Sequence, residues 1–265
     1  MIMLKRLQGW IINFIKYSPL LRELVVRDIK VRYRHSVLGI LWTVLNPLMM
    51  MGVMSIVFAK LFGNTIENFA IYYLSGFILY SFLNESTTMA LFSVVSNSAL
   101  AKKVYIPKYL FPLSNVASAM VNLLFSFCAL VIVMLLTGTK IYWTILLSIL
   151  PALYLALFCV GLSLILTTMN VFFRDIGHFY NIVTLVWMYL TPLFYPESLL
   201  MDNGMEILLK LNPLYYNVSY FRMLILDGVV PGLEHNLLCI IPGMVLLVIG
   251  IAIFHKRQDE FILYI

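Results

Sequence analysis

The sequence predicts an all-α membrane protein with six transmembrane helices, an amino-terminal interfacial amphipathic helix and short re-entrant helices before the last span. Of its 265 residues, 62% are hydrophobic and only 11% are charged, whereas soluble domains are close to half apolar and a quarter charged. The apolar residues form long runs that short basic segments separate. A single transmembrane domain over residues 1–265 is therefore expected, without a soluble domain.

The amino-terminal residues are basic and amphipathic, and no small-residue cleavage site follows a short apolar core, so a removable signal peptide is not predicted. Ser18 followed by Pro19 predicts a helix start, and an interfacial helix is expected over about 18–34. Asp28 and Arg32 interrupt its apolar side, so the amphipathic pattern is imperfect. We expect this helix to lie half in the lipid headgroups and half against protein, and a purely lipid-facing anchor is the alternative. The charged residues expected to act at this helix are Arg22, Glu23, Arg27, Lys30 and Arg34.

Six apolar runs are long enough to cross the hydrocarbon core of a bilayer. They are expected to span the membrane over about 37–59, 69–95, 115–136, 142–168, 176–195 and 237–254. The segment 197–228 contains only short apolar helices, the second with Asn212 as cap, Pro213 at its first position and Gly228 as its stop. Fifteen helical residues reach only about 22 Å, so re-entrant or surface-lying half helices are predicted there.

The distribution of charge predicts the orientation of the chain. Most of the 18 Lys and Arg residues lie in segments assigned to the cytosolic side; the exceptions are Lys60, Lys140, Lys210 and Arg222. Positive charge is retained on the cytosolic side, so both termini are expected in the cytosol. The net charge of +6 lies next to the membrane, where anionic headgroups of membrane lipids explain it without nucleic acid.

The basic joint between the second and third spans, residues 97–114, is the segment around which the rest is organised. Ser98 can cap a short helix that Pro107 then stops, which would leave Tyr105 and Ile106 exposed as a knob that another protein grips. An ordinary positive-inside loop is the alternative. The candidate docking residues are Ser98, Lys102, Lys103, Tyr105, Ile106 and Lys108.

Motifs of catalysis and nucleotide binding do not occur in the sequence. There is no GxxxxGK[ST] phosphate loop, HExxH helix, GxSxG elbow or CxxC pair, and the three cysteines have no metal-ligand spacing. No catalytic residue, metal site or cofactor is therefore assigned to this chain.

Glu85 and the aromatic side chains within the spans are the candidates for lining a transport path. An acid at membrane depth costs about 2.5 to 3.5 kcal/mol, so Glu85 must face a partner helix or a watery cavity, and both interpretations stay open. Aromatic faces can stack on sugar rings, although an aromatic stripe in a membrane helix also serves packing. The candidate lining residues are Tyr73, Phe77, Tyr80, Glu85, Trp187, Tyr189, Phe194 and Tyr195.

Four stretches resemble the membrane subunit of bacterial polysaccharide exporters of the type-2 ABC transporter class, which includes O-antigen and teichoic acid exporters. They are RELVVRDIKVRYRHSVLGILWTVLNPL (22–48), NSALAKKVYIPKYLFPLS (97–114), NVFFRDI (170–176) and LNPLYYNVSYFRMLILDG (211–228). These stretches follow the family's order along almost the whole chain.

The resemblance implies a permease of the bacterial cytoplasmic (inner) membrane that exports a lipid-linked glycan. It implies a coupling helix within 97–108 that docks on an ATPase, and outer gate helices between 196 and 228. Two copies of the chain would work with two separate ATPase subunits, which would bind the ATP and Mg. A cytosolic gate is implied at Phe172, Phe173, Arg174 and Asp175.

Two other functions remain open from the sequence. A related exporter could move a small amphipathic molecule or drug instead of a glycan. A membrane-embedded lipid-linked sugar transferase would need clustered charged residues at one membrane face, and the sequence shows only Arg174 and Asp175 there.

Overall fold

The fold is that of a computed structural model, which describes residues 2–62, 66–103 and 106–264. Side chains are described for 16–58, 66–103 and 106–264, so Tyr105 lies outside the described residues. Within these ranges the regular structure is helical throughout, and no strand occurs. The prediction of an all-α protein is confirmed.

The helices follow one another with short connections. In chain order they are α1 (Ile2–Tyr33), α2 (Trp42–Phe62), α3 (Phe69–Ser96), α4 (Ser98–Lys103), α5 (Leu110–Thr137), α6 (Ile149–Phe172), α7 (Ile176–Leu190), α8 (Ser198–Asp202), α9 (Glu206–Lys210), α10 (Pro213–Arg222), α11 (Leu233–Arg257) and α12 (Phe261–Tyr264). Tight 3₁₀ turns precede α2 and α6, and a π-helical turn, Met223–Asp227, extends α10.

Four stretches of the described chain are long and apolar enough to cross a membrane: Gly39–Phe58, Leu110–Thr137, Trp143–Phe172 and Leu233–Arg257. They coincide with the first, third, fourth and last expected spans, so a multi-pass membrane protein is shown. The other two expected spans correspond to α3, which has 28 residues, and to the apolar α7, which has 15. Six spans therefore stay a prediction.

The central element of the bundle is α3, which packs against α2, α5, α6, α7 and α10. Most of its side chains are buried, among them Ile71, Leu74 and Leu83, which are fully inaccessible. A helix surrounded by protein needs fewer apolar residues than a helix that faces lipid. This explains why α3 is less apolar than the four stretches named above.

One end of the bundle collects the basic segments, and we call it the basic end. The end of α3, α4, the start of α5 and the ends of α6 and α11 meet there around a shared apolar cluster. Val94, Phe111, Val171, Phe254 and Phe261 form the buried part of this cluster. The carboxyl-terminal α12 is thereby packed against the same cluster as α4 and the start of α5.

Three expected helix boundaries are wrong. No helix starts at Ser18, because α1 runs from Ile2 through Pro19 to Tyr33. Pro19 has no amide hydrogen, so one helical hydrogen bond is lost among 32 helical residues. The third span starts at Leu110, because Pro112 lies in the first turn, where amides have no helical partner. The helix in the region of the fifth expected span, α7, ends at Leu190, because Thr191 precedes a proline and is extended.

The predicted ends of the helix before the last span are confirmed. The Asn212 side chain accepts hydrogen bonds from the amides of Leu214 (3.0 Å) and Tyr215 (3.4 Å), with Pro213 at the first position. The π-helical turn after α10 ends at Gly228, which has a φ of 66°. The depth of these short helices in the membrane stays a prediction.

The tightest helix crossing joins α6 to α11. A Cβ on Gly161 would lie 2.4 Å from the Leu247 backbone nitrogen, and one on Gly250 would lie 2.4 Å from the Gly161 carbonyl oxygen. The two backbones can approach so closely only because both positions are glycine.

We therefore predict that Gly161→Ala and Gly250→Ala each lower the free energy of unfolding by about 1 to 3 kcal/mol, because the helices must separate. Thermal unfolding of the purified protein in detergent measures this. Gly52→Ala in α2 is the matched control: nothing lies within 4 Å of its Cβ position, and it should keep or raise the melting temperature. Equal melting temperatures for all three variants would contradict the crossing.

Candidate functional site

Glu85 on α3 is bound by side chains from two other helices. An Arg32 Nη atom from α1 hydrogen-bonds to its Oε1 atom, and the Asn122 amide from α5 donates to the same oxygen at 2.6 Å. The second Arg32 Nη atom lies 2.7 Å from the Met89 sulfur, one turn further along α3. Of the two interpretations of Glu85, the structure therefore shows the partnered one. We call Arg32, Glu85 and Asn122 the charged triad.

A second polar contact joins α1 to α5 one turn before the charged triad. The Asp28 carboxylate accepts a hydrogen bond from the Ser114 hydroxyl at 3.2 Å, and Arg27 pairs with its other oxygen at 2.7 Å. Asp28 and Arg32 are four residues apart, so both face the bundle. The sequence analysis assigned neither a function. The signal was present, since two charges at this spacing interrupt an otherwise apolar helix face.

The predicted charged stripe of α1 lies on the other face of the helix. Arg22, Glu23, Lys30 and Arg34 are exposed, and Glu23, Arg27, Lys30 and Arg34 line one open surface. Arg27 stands between the two faces through its pair with Asp28. Thus α1 has a charged outer face and a polar inner contact, and it is not a lipid-facing anchor alone.

The short helix α4 presents two lysines at the basic end. Lys102 and Lys103 in its last turn are exposed, while Leu100 and Ala101 pack into the apolar cluster. Ser98 is the first helical residue and not the cap, because the carbonyl of Asn97 already accepts the first helical hydrogen bonds. A basic helix with an anchored apolar side is a surface that a partner can contact.

Two expected docking residues of the joint are directed inward, against prediction. Ile106 is half-buried in the apolar cluster, because the chain turns back at Pro107 towards the start of α5. The Lys108 ammonium hydrogen-bonds to the Gln258 carbonyl and lies 5.6 Å from the Phe261 ring centre. Lys108 therefore joins the start of α5 to the carboxyl-terminal segment. Among the charged docking candidates that the structure describes, Lys102 and Lys103 are the ones with exposed side chains.

The expected cytosolic gate residues occupy the turn between α6 and α7. Phe172 packs edge-on against Phe261 and Tyr264, with ring centres 6.0 and 4.8 Å apart. The next three residues of this set, 173–175, are exposed. In the described part of the chain Arg174 and Asp175 make no ion pair.

The aromatic residues expected to line a path are mostly buried inside the chain, so the structure shows them packed between helices and their lining role stays a prediction. Tyr73 is stacked on Phe77 at 5.3 Å, and the Tyr80 hydroxyl donates to the Thr184 carbonyl at 3.1 Å. Burial and these contacts assign them to packing between helices. The other buried members are Phe194 and Tyr195, and Trp187 is half-buried.

Tyr189 is the member of this set that stays exposed, at 56%. It lies on the face of α7 that also carries Phe179, Ile182 and Val186, all exposed. This apolar face of α7 is therefore available to lipid, to a second protein or to a transported molecule.

A buried arginine fixes the short helices at the end opposite to the basic end. Arg222 of α10 is only 5% exposed, and its guanidinium lies 3.5 Å from the Tyr72 ring centre. It donates to the carbonyl oxygens of Tyr72 (3.0 Å) and Pro192 (2.8 Å). Glu197 lies 3.8 Å from Arg222 and accepts a hydrogen bond from Tyr215 at 2.9 Å. The sequence analysis counted Arg222 only as an outer charge.

We predict that Arg32→Leu and Glu85→Leu each lower the free energy of unfolding by about 2 kcal/mol, because each leaves the other charge without its partner. The two side chains are 23% and 28% exposed, so solvent weakens the pair below the cost of a fully buried one. The double variant should lose at least about 1 kcal/mol less than the sum.

Denaturant or thermal unfolding of all four proteins in detergent gives the coupling energy. Lys30→Ala on the exposed face of α1 is the control and should leave stability unchanged. Additive losses in the double variant would show that the two side chains do not interact.

Comparison with known proteins identifies the family. The ABC-2 type transporter family matches residues 19–226, which include the charged triad, α4 and the short helices. The chain is similar to the O-antigen export system permease protein RfbA of Klebsiella pneumoniae, with 29% identity over 237 residues, 89% of this chain and 90% of that protein.

Two further relatives cover the chain to a similar extent. RfbA of Myxococcus xanthus, also an O-antigen export system permease, is 29% identical over 247 residues, 93% of this chain and 95% of that protein. The capsule polysaccharide export inner-membrane protein CtrC of Neisseria meningitidis is 24% identical over 236 residues, 87% of this chain and 88% of that protein. The match to the family and the full-length similarity agree with the helical membrane fold, and the chain belongs to the ABC-2 type transporter family.

Proposed function

We propose that this chain is the membrane-spanning permease subunit of an ATP-driven exporter that moves a lipid-linked polysaccharide across the bacterial cytoplasmic membrane. The observation that carries the proposal is the near full-length similarity to O-antigen and capsule polysaccharide export permeases. These relatives favour a glycan over a small amphipathic molecule or drug. The same similarity favours transport over a sugar transferase.

ATP hydrolysis belongs to a separate partner, because the sequence holds no phosphate loop. The partner's surface contacts the basic end of the bundle, where Lys102 and Lys103 are exposed at the end of α4. A nucleotide-driven movement reaches the bundle only through contacts that differ between two states of the transporter. The apolar side of α4, which packs into the cluster at the basic end, and the charged triad, which joins α1 to α3, supply rigid contacts that can transmit this movement.

The proposed topology has six spans, with α3 and α7 added to the four long apolar stretches, and with both termini in the cytosol. The burial of α3 among its neighbours supports its assignment as a span. The basic residues of α4 and of the end of α11 support a cytosolic basic end. The short helices α8, α9 and α10 then lie at the outer side as half helices.

Two copies of the chain enclose the path for the glycan. Asn46 on α2 and Asn181 on α7 are exposed among apolar side chains, and neither side-chain amide has a hydrogen-bond partner in the described part of the chain. An unpaired amide facing lipid is costly, so these two positions favour contact with a second copy or with water in the path. Tyr189 and the exposed face of α7 lie on the same helix as Asn181 and would face this region.

The test is depletion of the chain in a cell that displays a surface polysaccharide. We expect the surface glycan to disappear and the lipid-linked glycan to accumulate in the cytosolic leaflet, because synthesis continues without export. Immunoblotting of surface and membrane fractions with a glycan antibody measures both pools. An unchanged surface glycan together with increased sensitivity to an amphipathic drug would reject the proposal.

Complementation of the depleted cells with variants tests the role of α4 in contacting the ATPase. The pair Lys102→Glu and Lys103→Glu should not restore export, because reversed charges repel the ATPase, whereas Lys140→Glu at the opposite end should restore it. Equal membrane levels of both variants are required. Full export with the reversed lysines would reject α4 as the docking helix.

A further inference from the structure

A cavity opens at the basic end between α1, the start of α5 and the carboxyl-terminal segment. Its volume is about 470 Å³, which is within the range of sites for small ligands. It is lined by Tyr17, Lys108, Tyr109, His255, Gln258 and Asp259, together with apolar residues of α6 and α11. The cavity therefore has a polar wall and an apolar wall.

An apolar groove of about 160 Å³ continues from this cavity along the helices. Tyr109, Leu164 and Ile251 line both spaces, so the two are adjoining parts of one surface. The remaining residues of the groove are Pro112, Leu113, Val160 and Leu247, which belong to α5, α6 and α11. These three helices lie within stretches that can cross a membrane. The groove thus runs between helices that are long and apolar enough to cross a membrane, and its apolar lining suits an acyl chain.

The polar wall carries one cation and one anion. Partial burial lowers the pKa of Lys108, and the nearby Asp259 carboxylate opposes this shift. A cation that has lost part of its hydration gains from an anionic ligand. The Asp259 side chain is exposed and makes no ion pair in the part of the chain that the structure describes. A ligand with both a phosphate and an ammonium group matches this pair of charges.

We propose that the cavity and the groove together bind a zwitterionic phospholipid, phosphatidylethanolamine, from the leaflet at the basic end. Lys108 binds the phosphate, Asp259 binds the ammonium group, and one acyl chain lies in the groove beside Leu164 and Ile251. The bound lipid fills the space between the start of α5 and the end of α11, beside the contact of Lys108 with the Gln258 carbonyl. The proposal is independent of which molecule the transporter exports.

Other occupants fit less well. An anionic phospholipid or a polyprenyl-linked phosphate would use Lys108 and the groove but would bring negative charge to Asp259 without an ammonium group. A protein partner such as the ATPase could contact the polar wall, but the narrow apolar groove between α5, α6 and α11 suits an acyl chain better than a protein surface.

The test measures lipids that remain bound to the purified full-length protein by native mass spectrometry, after exchange into mixtures of phosphatidylethanolamine and phosphatidylglycerol. We expect the wild-type protein to retain phosphatidylethanolamine over phosphatidylglycerol. Lys108→Gln should lower retention of both lipids about tenfold, since it removes the charge-assisted bond to the phosphate. Lys256→Gln, a neighbouring exposed lysine that does not line the cavity, is its control.

A second variant keeps the test decisive if Lys108→Gln does not fold. Asp259 is exposed, so Asp259→Asn should fold, and it should shift the ratio of retained lipids about tenfold towards phosphatidylglycerol. Asp202→Asn is the control, because Asp202 lies in α8, among the short helices at the end opposite to the basic end, and it should leave the ratio unchanged.

Three results would overturn the proposal. Equal retention of both lipids by the wild-type protein would show that the charges do not select the headgroup. Preferred retention of an added polyprenyl phosphate would assign the site to a substrate-like lipid. Loss of bound phosphatidylethanolamine on adding the partner ATPase would assign the polar wall to that protein.

Discussion

The pairing of Glu85 is the constraint on which the rest of the arrangement depends. A carboxylate at membrane depth costs about 2.5 to 3.5 kcal/mol unless it finds a partner, and α3, the helix that carries Glu85, is packed on by five other helices of the bundle named above. The partner is Arg32, which comes from the amphipathic α1. The need to neutralise one acid in the bundle thereby fixes the position of a helix that composition alone assigns to the membrane surface.

The same central helix is held by a second arginine near its other end. Arg32 contacts α3 at Glu85, while Arg222 of α10 contacts the Tyr72 ring and carbonyl in the first turn of α3. Both arginines come from amphipathic segments outside the four long apolar stretches. Consequently α3 contacts α1 through Glu85 and contacts the short helix α10 through its first turn. A movement of α1 or of α10 therefore acts directly on α3 at the centre of the bundle.

Short-range sequence patterns predicted the ends of some helices, whereas the predictions that were wrong depend on contacts between residues far apart in the sequence. The Asn212 cap and the stop at Gly228 were predictable because each depends on residues a few positions apart. The inward direction of Ile106 and Lys108 was not, because Lys108 binds the Gln258 carbonyl 150 positions further along the chain, and Ile106 packs on a cluster that includes the distant Phe254 and Phe261. The burial of Tyr73 likewise depends on the helices around α3, which spacing within α3 cannot show.

The charged triad illustrates how a sequence signal can be present and still be misread. Asp28 and Arg32 were apparent as interruptions of an apolar face, but an interruption does not name its partner. Glu85 was apparent as an acid that needed a partner. Joining Arg32 to Glu85 required the packing of α1 against α5, whose Asn122 binds the same Glu85 oxygen, and only the three-dimensional structure provides this arrangement.

The most direct test exchanges the charges of Arg32 and Glu85 and measures polysaccharide export in cells. Arg32→Glu alone places two acids together and should abolish surface glycan, whereas Arg32→Glu combined with Glu85→Arg should restore a substantial part of it. If the combined variant reaches wild-type membrane levels and exports no more glycan than Arg32→Glu alone, the contact between α1 and α3 is not what the transporter depends on.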